Sequence, residues 1–185
     1  MTATLSKEKL ANPPLQLHYL GDRVLRQPAK RITKIDSSIR TLAYQMLQTM
    51  YSSDGIGLAA PQVGINKQLI VIDYEPDKAH QPPYIMINPQ IINTSQETCV
   101  AEEGCLSIPN VFFGVTRPEA IEMTYKDEQG RPQRLKCDGI LARVILHEVD
   151  HLNGVVFVDR VDNSLALAES LKKEGFSPQA VKPIG

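Results

Sequence analysis

The sequence predicts an α+β fold: short strands, mixed or antiparallel, around a buried helix, with a further helix near each end. Three observations lead there. β-rich runs crowd the middle of the chain, helical periodicity appears towards both ends, and strands do not alternate with helices as a doubly wound parallel sheet requires. At 185 residues the chain is long enough for one domain with a real core. Residues 1–14 read as a flexible arm ending at Pro13-Pro14, 15–174 as a single domain, and 175–185 as a tail containing Pro and Gly.

The first helix rests on Ile39, Leu42, Ala43, Met46, Leu47 and Met50, which form one continuous stripe at helical spacing. Asp36 or Ser37 can cap its start, and Gly55 lies just past its end. A Gly-rich loop follows over 54–64. Strand-like runs then occur at Gln68–Tyr74, Tyr84–Thr94, Glu97–Ala101, Glu119–Lys126 and Gln133–Cys137. The last two flank Asp127-Glu-Gln-Gly130 and read as a hairpin. A second helix is predicted from Gly139 to Asn153, capped by Asp138 and stopped at Gly154, and a third over Ser164–Lys173.

Composition narrows the function. With 20 basic and 21 acidic residues the net charge is −1, so there is no electrostatic case for direct binding to nucleic acid or membranes. No apolar run is long enough to span a bilayer. Lys7, Glu8 and Lys9 stand where a secretory signal needs its apolar stretch. The three cysteines, Cys99, Cys105 and Cys137, suit a reducing compartment better than a disulfide framework. A cytoplasmic protein of bacterial type is expected, with a mature organellar form left open.

The strongest chemical signal is His147-Glu148-Val149-Asp150-His151. Residues four apart on a helix share a face, so both imidazoles can reach one metal ion, with Glu148 beside them as a general base. The bland alternative is an amphipathic helix with two surface histidines. Against it, Ile140, Leu141, Val144 and Ile145 make the preceding turns apolar, and buried polar groups need partners. Two histidines leave the site one ligand short. Downstream of His151 there is no His or Cys, and Asp159, Asp162 and Glu169 form no recognisable arrangement. Upstream, Cys105 follows a β-rich run within Glu102-Glu-Gly-Cys-Leu-Ser-Ile-Pro109, and its thiolate would complete a three-ligand site with one open position.

Gly55-Ile-Gly-Leu-Ala-Ala-Pro-Gln62, Glu103-Gly-Cys-Leu-Ser107 and His147-Glu-Val-Asp-His-Leu-Asn-Gly154 together resemble the three signature motifs of peptide deformylases, in the same order. The resemblance runs from about Leu17 to Val161. It implies a hydrolase that removes the formyl group from formyl-methionyl nascent peptides and releases formate, working near the ribosomal exit tunnel. It implies that Cys105, His147 and His151 bind one divalent metal, with Glu148 as general base and proton shuttle. The Gln62 amide and the Leu106 backbone N–H would hold the formyl oxygen, and Ile56, Gly57 and Glu103 would edge the substrate channel. Cys and His ligands alone suit zinc, whereas the resemblance implies Fe2+, with Zn2+, Ni2+ or Co2+ able to occupy the site.

Leu146 departs from the family pattern, in which a glutamine commonly precedes the first histidine. Asn110-Val-Phe-Phe-Gly114 is also more apolar than is usual there, and it is expected to shape the substrate mouth. Glu103 is expected near that mouth, with Arg117 as a candidate bidentate partner. Two other readings remain at this level. A metallopeptidase would need a downstream third ligand. A closed structural metal site would need a fourth from Cys99, Cys137, His18 or His80, none of which forms a ligand-spaced pair.

Overall fold

A computed structural model describes residues 7–78 and 81–184. Its strands are β1 (Gly57–Ala59), β2 (Leu69–Ile72), β3 (Tyr84–Thr94), β4 (Thr98–Cys105), β5 (Ile108–Pro118), β6 (Ala120–Lys126) and β7 (Pro132–Asp138). Five of them form an antiparallel sheet in the order β1-β2-β3-β6-β7, while β4 and β5 make a separate antiparallel hairpin. The helices are α1 (Ser37–Ser52), α2 (Gly139–Leu152) and α3 (Ser164–Lys173). The architecture is the α+β arrangement that the strand clustering predicts.

Asp36 starts α1, accepting from the N–H groups of Ser38 and Ile39 at 3.0 and 3.4 Å. The stripe then packs Ile39, Ala43, Met46, Leu47 and Met50 against Leu58, Leu69 and Val71. Each of the larger side chains contributes roughly 1.5–3 kcal/mol by leaving water. On the same sheet, α2 buries Leu141, Ala142, Val144 and Ile145 with Ile70, Ile72, Met86 and Met123. Arg143, His147 and Asp150 interrupt that apolar composition on another face, which turns to the β4–β5 hairpin. Asp138 occupies the N-cap of α2 but makes no capping bond with its side chain. The chain enters through Gly139 at a φ of 57° instead, a left-handed conformation that glycine adopts at little cost.

Two strands escape the periodicity reading. Only three residues long, β1 lies hidden in the Gly-rich loop. In β5, the regular alternation of buried and exposed residues is broken by Pro109, Gly114 and Asn110, whose φ is 63°. The segment expected only to shape the substrate mouth is therefore part of an 11-residue strand. Its partner β4 also runs on through Glu102-Glu-Gly to Cys105, beyond the predicted end at Ala101.

Both ends of the described chain are anchored. Lys7, in the segment read as an arm, pairs with Asp73 at 2.8 Å, and the Leu10 N–H donates to Ser52 Oγ at 3.0 Å. Residues 1–6 of that segment lie outside the described residues. In the tail, Phe176, Ala180 and Val181 pack on a third cluster built from β5, Phe157–Arg160 and α3. Asp159 accepts there from Arg26 and from the N–H of Lys182.

Asn88 carries the join between the sheet and the chain before α1. At a φ of 51° within β3, its side chain mimics a strand edge: Oδ1 accepts from the Ile32 N–H and Nδ2 donates to the Ile32 carbonyl, both at 2.8 Å. Asn88→Ala would leave both buried backbone groups unpaired, at about 1–3 kcal/mol each. Urea unfolding of the metal-free protein should therefore show a loss of roughly 2–4 kcal/mol, with an unchanged m-value.

Candidate metal centre

Three elements converge on the site. The hairpin brings Cys105 to the end of β4, the last turns of α2 carry His147, Glu148 and His151, and the short helix Ala60–Val63 after β1 carries Gln62. The ligand atoms of Cys105, His147 and His151 all lie within 4.8 Å of one another. Cys105 Sγ is 3.3 Å from His151 Nε2. Metal–ligand lengths of about 2.0–2.3 Å at tetrahedral angles imply ligand spacings of roughly 3.5 Å, so the trio fits one ion. Among the described residues no fourth Cys, His or carboxylate joins the group, which leaves a coordination position open. Asp159 is committed to Arg26, Cys99 is exposed, and His80 lies outside the described residues.

Glu103 aims the ring of His147. Its Oε2 accepts from His147 Nδ1 at 2.9 Å, which leaves Nε2 to face the cluster. The same carboxylate accepts from Arg117 in a bidentate pair, Nε to Oε1 at 2.6 Å and Nη2 to Oε2 at 2.9 Å, and from Arg143 Nη1 at 2.8 Å. Arg117 Nη1 reaches on to Asp150 Oδ2 at 2.8 Å, and Arg160 clasps Asp150 with two bonds of 2.7 Å. The Glu103–Arg117 pair is thus as the sequence suggests. The expected place of Glu103 needs correction: it borders the cleft, yet its carboxylate turns inward, because two buried guanidinium groups need a counter-charge. Burial works against its ionisation, but Arg117 and His147 outweigh that and hold its pKa at about 2.

Glu148 is 4% exposed, and its Oε2 has no hydrogen-bond partner among the described residues. In the metal-free protein burial pushes its pKa up to about 7, against the opposing influence of His147. A divalent cation nearby draws that value down again. Burial also disfavours a charged His147, but Cys105 and Glu103 prevail and raise its pKa well above the ordinary imidazole range. Burial and the neighbouring His147 push His151 the other way. Metal-free, the pocket thus favours a proton on His147, in a position that a cation can take.

Gln62 is held at both ends of its amide. Its Oε1 accepts from the Ala59 N–H at 2.9 Å, while Nε2 donates to Ser107 Oγ at 3.1 Å and to Cys105 Sγ at 3.4 Å. A cleft of about 590 Å3 opens over the centre, lined by Ile56, Gly57, Gln62, Leu106, His147 and Glu148 among others. His151 is fully buried behind it. Gly57 has a role that the sequence reading did not foresee: a Cβ there would collide with Glu148 Oε1 and Val144, so the missing side chain makes room for Glu148. Leu146 packs in the cluster beneath the sheet, so the departure at that position lies within the apolar packing. Arg143, Asp150, Arg160 and Ser107 were also not anticipated. The first two could have been noticed as polar residues at helical spacing from His147 in an apolar helix.

A hydrolase built on a three-residue metal centre is the class to which this fold and site point. A family profile described as polypeptide deformylase matches residues 14–166. The peptide deformylase of a Synechocystis strain is 72% identical over the whole of both chains, and peptide deformylase 1 of a Nostoc strain is 71% identical over 97% of this chain and 96% of its own. The crystal structure of a Synechococcus elongatus peptide deformylase in complex with actinonin superposes with a TM-score of 0.96, at 64% identity over 97% of this chain and 98% of that one. The chain belongs to the polypeptide deformylase family and is a metal-dependent hydrolase that removes the N-formyl group from the formyl-methionine of new polypeptides, releasing formate. Among the described residues no helix is long and apolar enough to cross a membrane.

Removing the thiol separates ligand from bystander. Cys105→Ala should lose bound metal and activity together, since two histidines alone hold a divalent ion weakly. Cys99→Ala, at an exposed position outside the cluster, should keep both. Metal analysis of the two purified variants checks this. Retention by Cys105→Ala with loss from Cys99→Ala would overturn the ligand set.

Proposed function

We propose that Cys105, His147 and His151 hold the metal, that Glu148 moves the protons, and that Gln62 and Leu106 receive the negative charge formed during deformylation. The observation that carries this reading is a buried, unpartnered Glu148 oxygen beside an open three-ligand cluster, at the foot of a cleft. A divalent ion held there supplies Lewis acidity, which polarises the formyl carbonyl and lowers the pKa of water towards about 7. Glu148 takes the proton of the attacking water as its oxygen adds to the formyl carbon. The Gln62 amide N–H and the Leu106 backbone N–H donate to the formyl oxygen while it carries negative charge. Fixed donors of this kind are worth about 2.7–4 kcal/mol each. The C–N bond then breaks as Glu148 returns the proton to the leaving nitrogen, giving formate and a free amine. Ile56 and Gly57 edge the channel and pair with the peptide backbone.

The ion in this proposal is Fe2+, with Zn2+, Ni2+ and Co2+ able to replace it, because one thiolate and two imidazoles accept all four. The substrates are formyl-methionyl peptides met near the ribosomal exit tunnel, in a cytoplasmic setting. What supports that setting is the substrate itself, available only as chains emerge, together with three unpaired cysteines among the described residues.

The experiment is a formate-release assay on a formyl-methionyl peptide, using anaerobically purified wild type and Glu148→Gln. The substitution keeps size and polarity and removes the base. The variant should hold as much metal as wild type, while kcat falls at least about 10²–10⁴-fold, and further if the same group acts twice in the cycle. Near-normal turnover at full metal occupancy would sink the mechanism.

A further inference from the structure

The wall of the cleft formed by Ser53, Asp54, Gly55, Ile56 and Gly57 is tied to the N-terminal segment that contains Lys7 and Leu10. Lys7 Nζ lies 2.8 Å from Asp73 Oδ2 and donates to the Pro76 carbonyl at 2.9 Å. The Asp73 carboxylate is only 3% exposed, and Lys7 is the cation that pairs with it among the described residues. Tyr51 donates its hydroxyl to the same oxygen at 2.6 Å, and burial followed by that bond raises the pKa of its phenol, so it stays a donor. Asp73 in turn reaches the wall, because its backbone N–H donates to the Ile56 carbonyl at 2.9 Å and extends the β1–β2 pairing by one step. Leu10 adds a bond to Ser52, whose neighbour Ser53 opens the wall. The solvent-exposed Lys9–Asp54 pair contributes little.

Asp54, the residue after the cap of α1, sits at a φ of 60°, a left-handed conformation common at helix ends and open to Asp more than to most non-glycine residues, and it turns the chain from the helix into the wall. The segment bonds to Ser52, Asp54 and Asp73, next to or within the wall, while Ile56 and Gly57 border the cleft. We propose that Lys7 is a positioning residue for peptide substrates: through Asp73 it fixes the Tyr51–Gly57 turn in the shape that pairs with the substrate backbone. This rests on the deformylase reading above and concerns binding of the peptide, with the metal and Glu148 untouched.

Lys7→Met removes the charge and keeps much of the length. On a formyl-methionyl tripeptide its KM should rise about ten-fold, the scale of one lost tie of about 1.4 kcal/mol, with kcat and metal content close to wild type. Lys7→Arg should restore KM. A double variant, Lys7→Met with Asp73→Asn, removes the stranded buried charge and should recover thermal stability while KM stays high. If KM in the double variant returned to the wild-type value together with stability, the segment would be merely structural and the proposal overturned. An unchanged KM in Lys7→Met would overturn it as well. Absence of formate release by wild type would sink the deformylase reading and this inference with it, whereas a wild-type enzyme that releases formate leaves Lys7 to be judged alone.

Discussion

The buried carboxylate of Glu103 is the contact on which the geometry of the centre depends. It sits between Arg117 and Arg143 and accepts from His147, so one group sets the hairpin, the helix and the ring orientation together. Two guanidinium groups that are almost wholly buried cannot stand uncompensated, and breaking such a pair costs about 3–5 kcal/mol. Asp150 extends the arrangement to Arg160, fixing the end of α2 against the turn that follows it. Because Cys105 is two residues from Glu103 on the same strand, anchoring the carboxylate also places the thiolate.

A second constraint comes from crowding. Glu148 needs a buried place beside the cluster, and the space left by Gly57 provides one within the edge strand of the sheet. Gln62, three residues further on from Ala59, is held by the Ala59 N–H and by Ser107, which keeps its amide beside Cys105. Strand β1, the short helix after it and α2 therefore share one packing problem. The three signature segments, far apart in sequence, meet because each fills the space that the others leave.

Much of this was legible beforehand. The α1 stripe, the α2 span and the β6–β7 hairpin follow from periodicity and turn residues, and the H-E-x-x-H spacing fixes which side chains share a face. Cys105 followed from the incomplete ligand count and from the resemblance. What stayed hidden has physical causes. Strand β1 is too short to show a period, and β5 loses its alternation at Pro109, Asn110 and Gly114. The inward turn of Glu103 depends on Arg143, 40 residues away, and no local pattern announces a charge paired at that distance. Gly57 reads as a flexible or substrate-facing glycine until the position of Glu148 is known.

The most direct test of this account measures metal affinity and formate release together in Glu103→Gln. The substitution keeps the shape of the side chain and removes the charge that orients His147 and neutralises Arg117 and Arg143. Losing such a hydrogen-bonding partner behind a metal ligand typically costs 10–100-fold in affinity or activity. Competition with a chromogenic chelator should show metal binding weakened by about that factor, with formate release falling in step, in a protein that still unfolds cooperatively. Wild-type metal affinity and wild-type turnover in folded Glu103→Gln would contradict it, since the centre would then be holding its shape without the carboxylate.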